Sequence, residues 1–376
     1  MKHRKSIMIF GGGELQLSII NTAQNLELNT IVLDPDANAI AYNKCDFFYC
    51  VSGDDFNKTL EIAQHHNING IVTAATDKPL LMMARIAHSM ALPFPSYESI
   101  EKTINKFEFK NVLQEHNLPC AKGILSDGSV SEDDIINNGL DYPLILKPID
   151  NSGSRGVIFC SNYQDVKQFI PDTLNESSSD TVLIEEYLEG DEISVEAVVQ
   201  NHKVHIIQIT DKQTTDFPYN VEIGHIQPSK YKKNLQQDVQ QLLQKTVEIL
   251  GLDDCALHPE MKIINNNLKF IEMGPRLGGD YITSDLVPLS TGVSIEKLLI
   301  KISMGEEIEY SINNKSSMIK YFNLSPGDVL DHFPEEIISS KINRVKYKFD
   351  LKLGNEIPNI TNSLNRYGFV IEKGLV

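Results

Sequence analysis

Along the first hundred residues, short apolar runs alternate with stretches of helical periodicity. Ser6 to Phe10 is strand-like, Gly11-Gly12-Gly13 breaks it, Glu14 to Leu26 has helical spacing, and Thr30 to Leu33 is again a strand. Another strand is expected at Ile68 to Thr73, preceded by the periodic stretch Lys58 to His66 and followed by Pro79 to Met90. Such alternation is the pattern of a parallel sheet with helices on its faces. Residues 1–100 are therefore expected to form a small doubly wound α/β domain. The glycines allow a tight turn into a helix whose N-terminus can face an anion. A dinucleotide fingerprint would need a third glycine where the chain has Gln16. Asp34 suits a ribose or amine contact and is equally a turn former ahead of Pro35.

The pattern then changes. A helix is expected over Glu101 to His116, and a strand over Leu144 to Lys147 follows the turn-rich segment Ser126 to Gly139. The polar loop from Pro148 to Val157 joins two strands, and the unit 101–181 reads as a small lid. In 182–304, strands are expected at Thr181 to Glu185, Glu192 to Gln200, Val204 to Thr210, Leu257 to Ile263 and Leu268 to Met273. A helix from Lys232 to Leu250 carries Leu235, Val239, Leu242, Thr246 and Ile249 on one stripe. This combination argues an antiparallel sheet backed by helices. In 305–376, alternation in Met318 to Phe322, Val345 to Leu351 and Tyr367 to Ile371 predicts a final small sheet that completes the third unit. The fold class is thus α/β followed by α+β.

With 376 residues the chain is long for one domain, so several units sharing interfaces are expected. Its net charge of -17, from 51 acidic and 34 basic side chains, repels nucleic acid and anionic bilayers. The basic cluster Lys2-His3-Arg4-Lys5 precedes only four apolar residues, and no stretch approaches the roughly 20 needed to span a bilayer. A cytoplasmic protein is expected. The five cysteines follow no metal or disulfide spacing.

Four features could carry chemistry together. Lys106 and Lys147 stand on separate elements, and Lys147 follows the apolar run Leu144-Ile145-Leu146, where a buried ammonium needs an anionic partner. The loop through Ser152, Gly153, Ser154 and Gly156 has the composition of a flap whose N–H groups fold over phosphates, and also that of a surface turn. Glu185-Glu186-Tyr187-Leu188 leads toward Glu192, so that backbone groups could pair with an adenine edge, or the segment could be an acidic hairpin. Glu260 and Glu272 flank the turn Asn265-Asn266-Asn267, which would set them opposite each other as a magnesium pair or as an acid/base couple. Arg276 fits a clamp on a transferred phosphoryl group.

In order and spacing these segments resemble the ATP-grasp superfamily over nearly the whole chain. The likeness runs through Asn105-Lys106, Leu146-Lys147-Pro148, Asn151 to Val157, Glu185 to Leu188, Glu192, His258-Pro259-Glu260 and Ile271 to Gly279. It implies that ATP and Mg²⁺, with Mn²⁺ as an alternative ion, are held between two subdomains. Lys106 and Lys147 would hold the α and β phosphates, and the loop from Ser152 to Gly156 would cover them. Glu185, Glu186, Tyr187 and Leu188 would line the adenine pocket, Glu192 would take the ribose, Glu260 and Glu272 the metal, and Arg276 the acyl phosphate. One departure stands out: the family commonly has Asn two residues after the second metal-binding Glu, and this chain has Gly274.

The implied activity is ATP-dependent ligation of a carboxylate to an amine, or to a thiol, through an acyl phosphate. A bicarbonate-using carboxylase and a non-catalytic ATP-binding subunit are the alternatives. The opening Gly11 to Gln16 looks like the carboxylase, amino-acid-ligase and carbamoyl-phosphate-synthase-like branches, and no Ala-Met-Lys-Met biotin acceptor is present. Partners would be small carboxylates and amines, with no nucleic acid, no membrane, and a homodimer as an option. Thr76, Asp77, Thr210, Asp211, Lys212, Tyr219, Glu222, His225 and Arg366 are further candidates for substrate contact, each equally a turn or surface residue.

Overall fold

A computed structural model describes residues 4–151, 153–338 and 343–374. Strands β1 (Ser6–Phe10), β2 (Asn29–Asp34), β3 (Phe47–Cys50) and β4 (Gly70–Thr73) form a parallel sheet in the order β3-β2-β1-β4. Every residue of β1 is buried, because both faces of a parallel sheet are covered. Ile7 and Ile9 join the core on one face, Met8 and Phe10 that on the other, as the two-residue period of a strand requires. The glycine turn after β1 is filled by its own chain. Gln16 accepts from the Gly13 N–H at 3.1 Å and donates to the Ala74 carbonyl at 2.6 Å, while Asp34 caps the Gly12 N–H at 2.7 Å.

The helix expected over 101–116 is two helices, Tyr97–Ile104 and Lys106–Glu115. Asn105 breaks it by accepting from the N–H groups of Phe107 and Glu108, an N-cap that outcompetes helix continuation. Lys106 thereby starts a new helix beside the lid. The lid sheet, β5 (Gly123–Ser126), β6 (Leu144–Pro148), β7 (Ile158–Cys160) and β8 (Val182–Glu186), has the antiparallel order β5-β8-β6-β7. Helix Tyr163–Asn175 packs Val166 and Ile170 into its core.

The largest layer is an eight-stranded antiparallel sheet. Its members are β9 (Asp191–Gln200), β10 (Lys203–Thr214), β11 (Glu222–Gln227), β12 (Cys255–Ile264), β13 (Asn267–Gly274), β14 (Ser317–Tyr321), β15 (Arg344–Phe349) and β16 (Gly368–Lys373), in the order β13-β12-β9-β10-β11-β14-β16-β15. The alternating C-terminal segments complete this sheet through β11 and β14 rather than standing apart. Helix Lys232–Leu250 packs on it through Leu235, Val239, Leu243 and Val247, leaving Leu242 and Ile249 half-buried at the margin of the stripe. Helix Ile295–Ser303 lies between the parallel and antiparallel sheets, so that Ile7, Ile9, Val198, Ile207 and Ile295 share one core. A parallel bridge between Ala74 and Leu277 continues the join. None of the described helices is long and apolar enough to cross a membrane.

Candidate active site

A cleft of about 460 Å³ is walled by the lid sheet, the large sheet and the loop after β13. Its lid end is cationic. Lys147, on β6, reaches Glu185 on β8 at 2.5 Å, and the same carboxylate binds Lys110. Register places Ile145 opposite Glu185, and the alternate residues Leu144, Leu146, Val182 and Ile184 fill the lid core, which leaves Lys147 and Glu185 on the cleft side. Two buried ammonium groups sharing one carboxylate carry a surplus positive charge. Burial pushes Lys147 down to about 8, and burial together with the Lys147 charge holds Lys110 well below the usual lysine range. The anion found for Lys147 is thus a protein carboxylate, and Glu185, expected in the adenine wall, is committed to the lysines although it still lines the cleft.

Lys106 donates to the Asn151 carbonyl at 2.6 Å and lies 3.2 Å from Glu272, tying the flap to the large sheet. Ser152 lies outside the described residues. Gly153, Ser154 and Gly156 all have positive φ, the conformation of a tightly coiled flap. The flap is held against the C-terminal segment: Ser363 donates its N–H to the Gly153 carbonyl at 3.2 Å, and Ser154 and Ser363 each donate to Glu222 at 3.1 Å. Tyr187 and Leu188 line the cleft, and Phe159 stacks on Phe217 at 3.9 Å beside Tyr187. Glu186 is not among the lining residues and pairs with Lys269 at 3.1 Å.

The sheet end has the opposite charge balance. Lys212 sits 2.7 Å from Glu192, 2.6 Å from Glu260 and 3.4 Å from Glu222, and Glu192 also meets Lys262 at 3.0 Å. Burial opposes the Lys212 charge, but three carboxylates raise it well above the usual range. Glu192, assigned to ribose by resemblance, is therefore already ion-paired. Glu260 stands directly opposite Glu272 in the β12–β13 register. His258 bridges Glu260 at 3.3 Å to the buried Glu196 at 3.0 Å. Burial disfavours the imidazolium, yet these two carboxylates carry it up to about 9; burial also opposes the Glu260 charge, but Lys212 and His258 keep that carboxyl well below the usual carboxylate range.

Among the described residues no set of three or more His, Cys, Asp and Glu side chains is gathered for a metal. The facing pair Glu260 and Glu272 nevertheless fits Mg²⁺ or Mn²⁺ by its donor chemistry. Such a cation takes hard oxygens at about 2.0–2.1 Å and completes its shell with phosphate and water.

Arg276 lines the cleft but is not free. Asp77, from the loop after β4, holds it at 2.9 and 3.0 Å in a bidentate pair, so the expected phosphoryl clamp is anchored from the end of the parallel sheet. Asp280 similarly binds Arg366 at 2.6 and 2.7 Å and His225 at 3.2 Å, and Arg366 stacks on Tyr321 at 3.7 Å. Burial opposes the Asp280 charge, but Arg366 and His225 hold it far below the usual carboxylate range.

Of the other candidates, Thr210 and Asp211 spend their side chains on Gln227 and Ser229, and Tyr219 packs in the small core of the C-terminal segment. None of these three lines the cleft, nor does Thr76. Sequence reasoning missed Lys110, Lys262, Glu196 and Ser363. Only Lys110 left a signal, four residues after Lys106 on the same helix and hence on the same face.

The family described as ATP-grasp domain matches residues 140–285, from β6 through the sheet end of the cleft. Over that segment the chain is similar to the ATP-grasp domain. Its relatives diverge in chemistry. It is 22% identical over 326 residues to the 2-oxoglutarate carboxylase small subunit of Hydrogenobacter thermophilus, covering 82% of this chain and 68% of that one. It is 26% identical over 237 residues to the D-alanine–D-alanine ligase of Wolbachia pipientis wMel, covering 58% and 70%. The crystal structure of an L-amino acid ligase from Bacillus licheniformis superposes with a TM-score of 0.80 at 17% identity, covering 100% of this chain and 95% of that one. Outside the matched segment, Ser363 and Arg366 of the C-terminal segment line the cleft, and Asp77 holds Arg276.

Proposed function

We propose that this chain is an ATP-dependent carboxylate–amine ligase that forms an amide through an acyl phosphate and releases ADP and phosphate. The observation that carries the reading is the opposed charge of the two ends of one cleft. Lys106 and Lys147 line the lid side, with Lys110 behind them on Glu185, and the facing carboxylates Glu260 and Glu272 line the sheet side beside Arg276, Glu272 meeting Lys106 at 3.2 Å.

A triphosphate would complete the charge of Lys147 and Lys106, with the flap from Gly153 to Gly156 over it. Glu260 and Glu272 would hold Mg²⁺, which when bound neutralises phosphate charge. A substrate carboxylate oxygen then attacks the γ-phosphorus as the bond to ADP breaks. The amine nitrogen attacks the acyl carbon, loses a proton, and phosphate leaves with the former carboxylate oxygen. Arg276 provides fixed donors where charge develops in both steps, and the closed flap excludes water that would hydrolyse the acyl phosphate.

The L-amino acid ligase likeness, over nearly the full length of both chains, favours an amine as acceptor. The likeness to the Hydrogenobacter thermophilus 2-oxoglutarate carboxylase, whose biotin carboxylase domain was solved with bicarbonate, keeps bicarbonate as the competing donor. A phosphate-release screen of carboxylate and amine pairs, with mass detection of products, tests the proposal. An amide formed with stoichiometric ADP supports it. Labelled bicarbonate retained in the product, with no amide from any pair, contradicts it.

A further inference from the structure

Along β13, Glu272 and Gly274 share one face of the strand, and Glu260 stands opposite Glu272 on that face. The Arg276 side chain folds back over it, its guanidinium carbon 3.0 Å from where a Cβ on Gly274 would stand. Burial opposes the arginine's charge, and Asp77 first, then Glu272 and Glu260, favour it. A guanidinium here without a partner of its own would find a bidentate acceptor in one of the two carboxylates that the proposed metal needs. Asp77 takes that place instead. Its carboxylate accepts from Nε at 2.9 Å and Nη2 at 3.0 Å, and the Leu277 carbonyl accepts from Nη1 at 3.2 Å. Three of the five N–H groups are thus spent, neither Glu272 nor Glu260 is among their acceptors, and two remain for a phosphate oxygen. Glu272 and Glu260 are met by Lys106, Lys212 and His258, each at a single oxygen, whereas a bidentate guanidinium would occupy both oxygens of a carboxylate. The loop that carries Asp77 is itself pinned to the same place. Ala74 and Leu277 form a parallel bridge, the Ala75 N–H donates to the Leu277 carbonyl at 3.1 Å, and Ala75 is held at a φ of 58°, in the left-handed region.

We propose that Asp77 is a positioning residue that keeps Arg276 off Glu272 and Glu260, so that these carboxylates stay available to a divalent cation while the arginine keeps two N–H groups for the transferred phosphoryl group. The proposal rests on the nucleotide reading above and gives the loop at the end of the parallel sheet a task in it. Asp77 touches neither metal nor phosphate. It acts by satisfying a cation that would otherwise compete with the metal for its ligands, which the permanent charge and planar fork of arginine make it well suited to do.

The test measures the affinity of the full chain for Mn²⁺ by electron paramagnetic resonance at saturating non-hydrolysable ATP analogue, with no turnover required. Asp77→Ala is expected to weaken that affinity about tenfold or more, because the released guanidinium competes for the carboxylates. Removing the competitor should restore it, so the double variant Asp77→Ala with Arg276→Ala is expected to bind Mn²⁺ as tightly as Arg276→Ala alone. A merely structural role for Asp77 would leave the double variant as weak as Asp77→Ala. Where circular dichroism shows that Asp77→Ala does not fold, Asp77→Asn, which keeps the shape and loses the charge, is read in its place, alone and with Arg276→Ala. Unchanged Mn²⁺ affinity in the folded single variant, or a loss that persists in the double variant, overturns the proposal and leaves the nucleotide reading standing. No nucleotide-dependent Mn²⁺ binding in the wild type overturns both.

Discussion

The two ends of the cleft solve the same problem, a buried lysine, in opposite ways. At the lid end, Lys110 and Lys147 share Glu185, and both ammonium groups are pushed down. At the sheet end, Lys212 is shared by Glu192, Glu222 and Glu260 and is pushed up. The difference lies in the ratio of charges, since Lys147 and Lys212 are both almost wholly buried. Two cations on one anion form a site that gains by receiving another anion. Three anions on one cation gain by receiving metal or hydrogen-bond donors. A triphosphate with its metal would present each end with the charge it lacks.

The largest effect should come from breaking the sheet-end cluster. Lys212→Met leaves three carboxylates without their common partner, and the loss of a buried ion-pair member costs about 3–5 kcal/mol. Lys110→Met leaves Lys147 and Glu185 one to one and should cost much less in the same denaturant titration. Equal losses would mean that the charge ratio does not govern either end.

Next come the residues expected to act during turnover. Glu272→Gln and Arg276→Ala should each lower kcat by roughly a hundredfold, or about 2.7 kcal/mol, while circular dichroism stays unchanged. Arg276→Ala should retain most of its ATP affinity, because the lid lysines are intact. Near wild-type turnover in a folded Glu272→Gln protein would make the Glu260 and Glu272 pair structural.

Lid-end changes should appear in affinity. Lys147→Ala is expected to weaken ATP binding at least tenfold, about 1.4 kcal/mol, in calorimetry. The pH dependence gives a smaller, sharper sign. In the free protein Lys147 is held down to about 8, and a bound triphosphate, as an anion beside it, should raise it again. ATP binding should therefore take up a proton as pH rises above about 8 and weaken through that range, by up to about tenfold per pH unit. Around pH 6 the lysine is charged in both states and no uptake is expected from it. Heats of binding measured in buffers of different ionisation enthalpy separate the two regimes, and Lys147→Ala should abolish the difference.

Much of this organisation was legible in local sequence. The apolar runs fixed β1, β2, β4 and β6 to within a residue or two, and the Asn265 to Asn267 turn was enough to place Glu260 opposite Glu272. Lys106, Lys147, Glu192 and Arg276 were also readable as members of one cleft through the order of their motifs. The remainder depends on contacts that sequence periodicity does not encode. Asn105 sits inside a helical pattern, and its side-chain cap on Phe107 and Glu108 competes with continuation of the helix. The pairing of β11 with β14 spans some ninety residues, and no alternation in either strand names the other. Lys110 looks like a solvated helix charge until β8 brings Glu185 against it. Asp77 and Arg276 meet where the parallel and antiparallel sheets share a core.

The central claim is that a carboxylate is phosphorylated and then captured by an amine, and the most direct measurement follows the carboxylate oxygen. With a turning-over substrate pair, the donor carboxylate is labelled with heavy oxygen and both the released phosphate and the product are analysed by mass spectrometry. The account predicts one labelled oxygen in the phosphate for each amide formed. An amide whose lost label appears in water or in AMP, or label reaching phosphate only from bicarbonate, would contradict it.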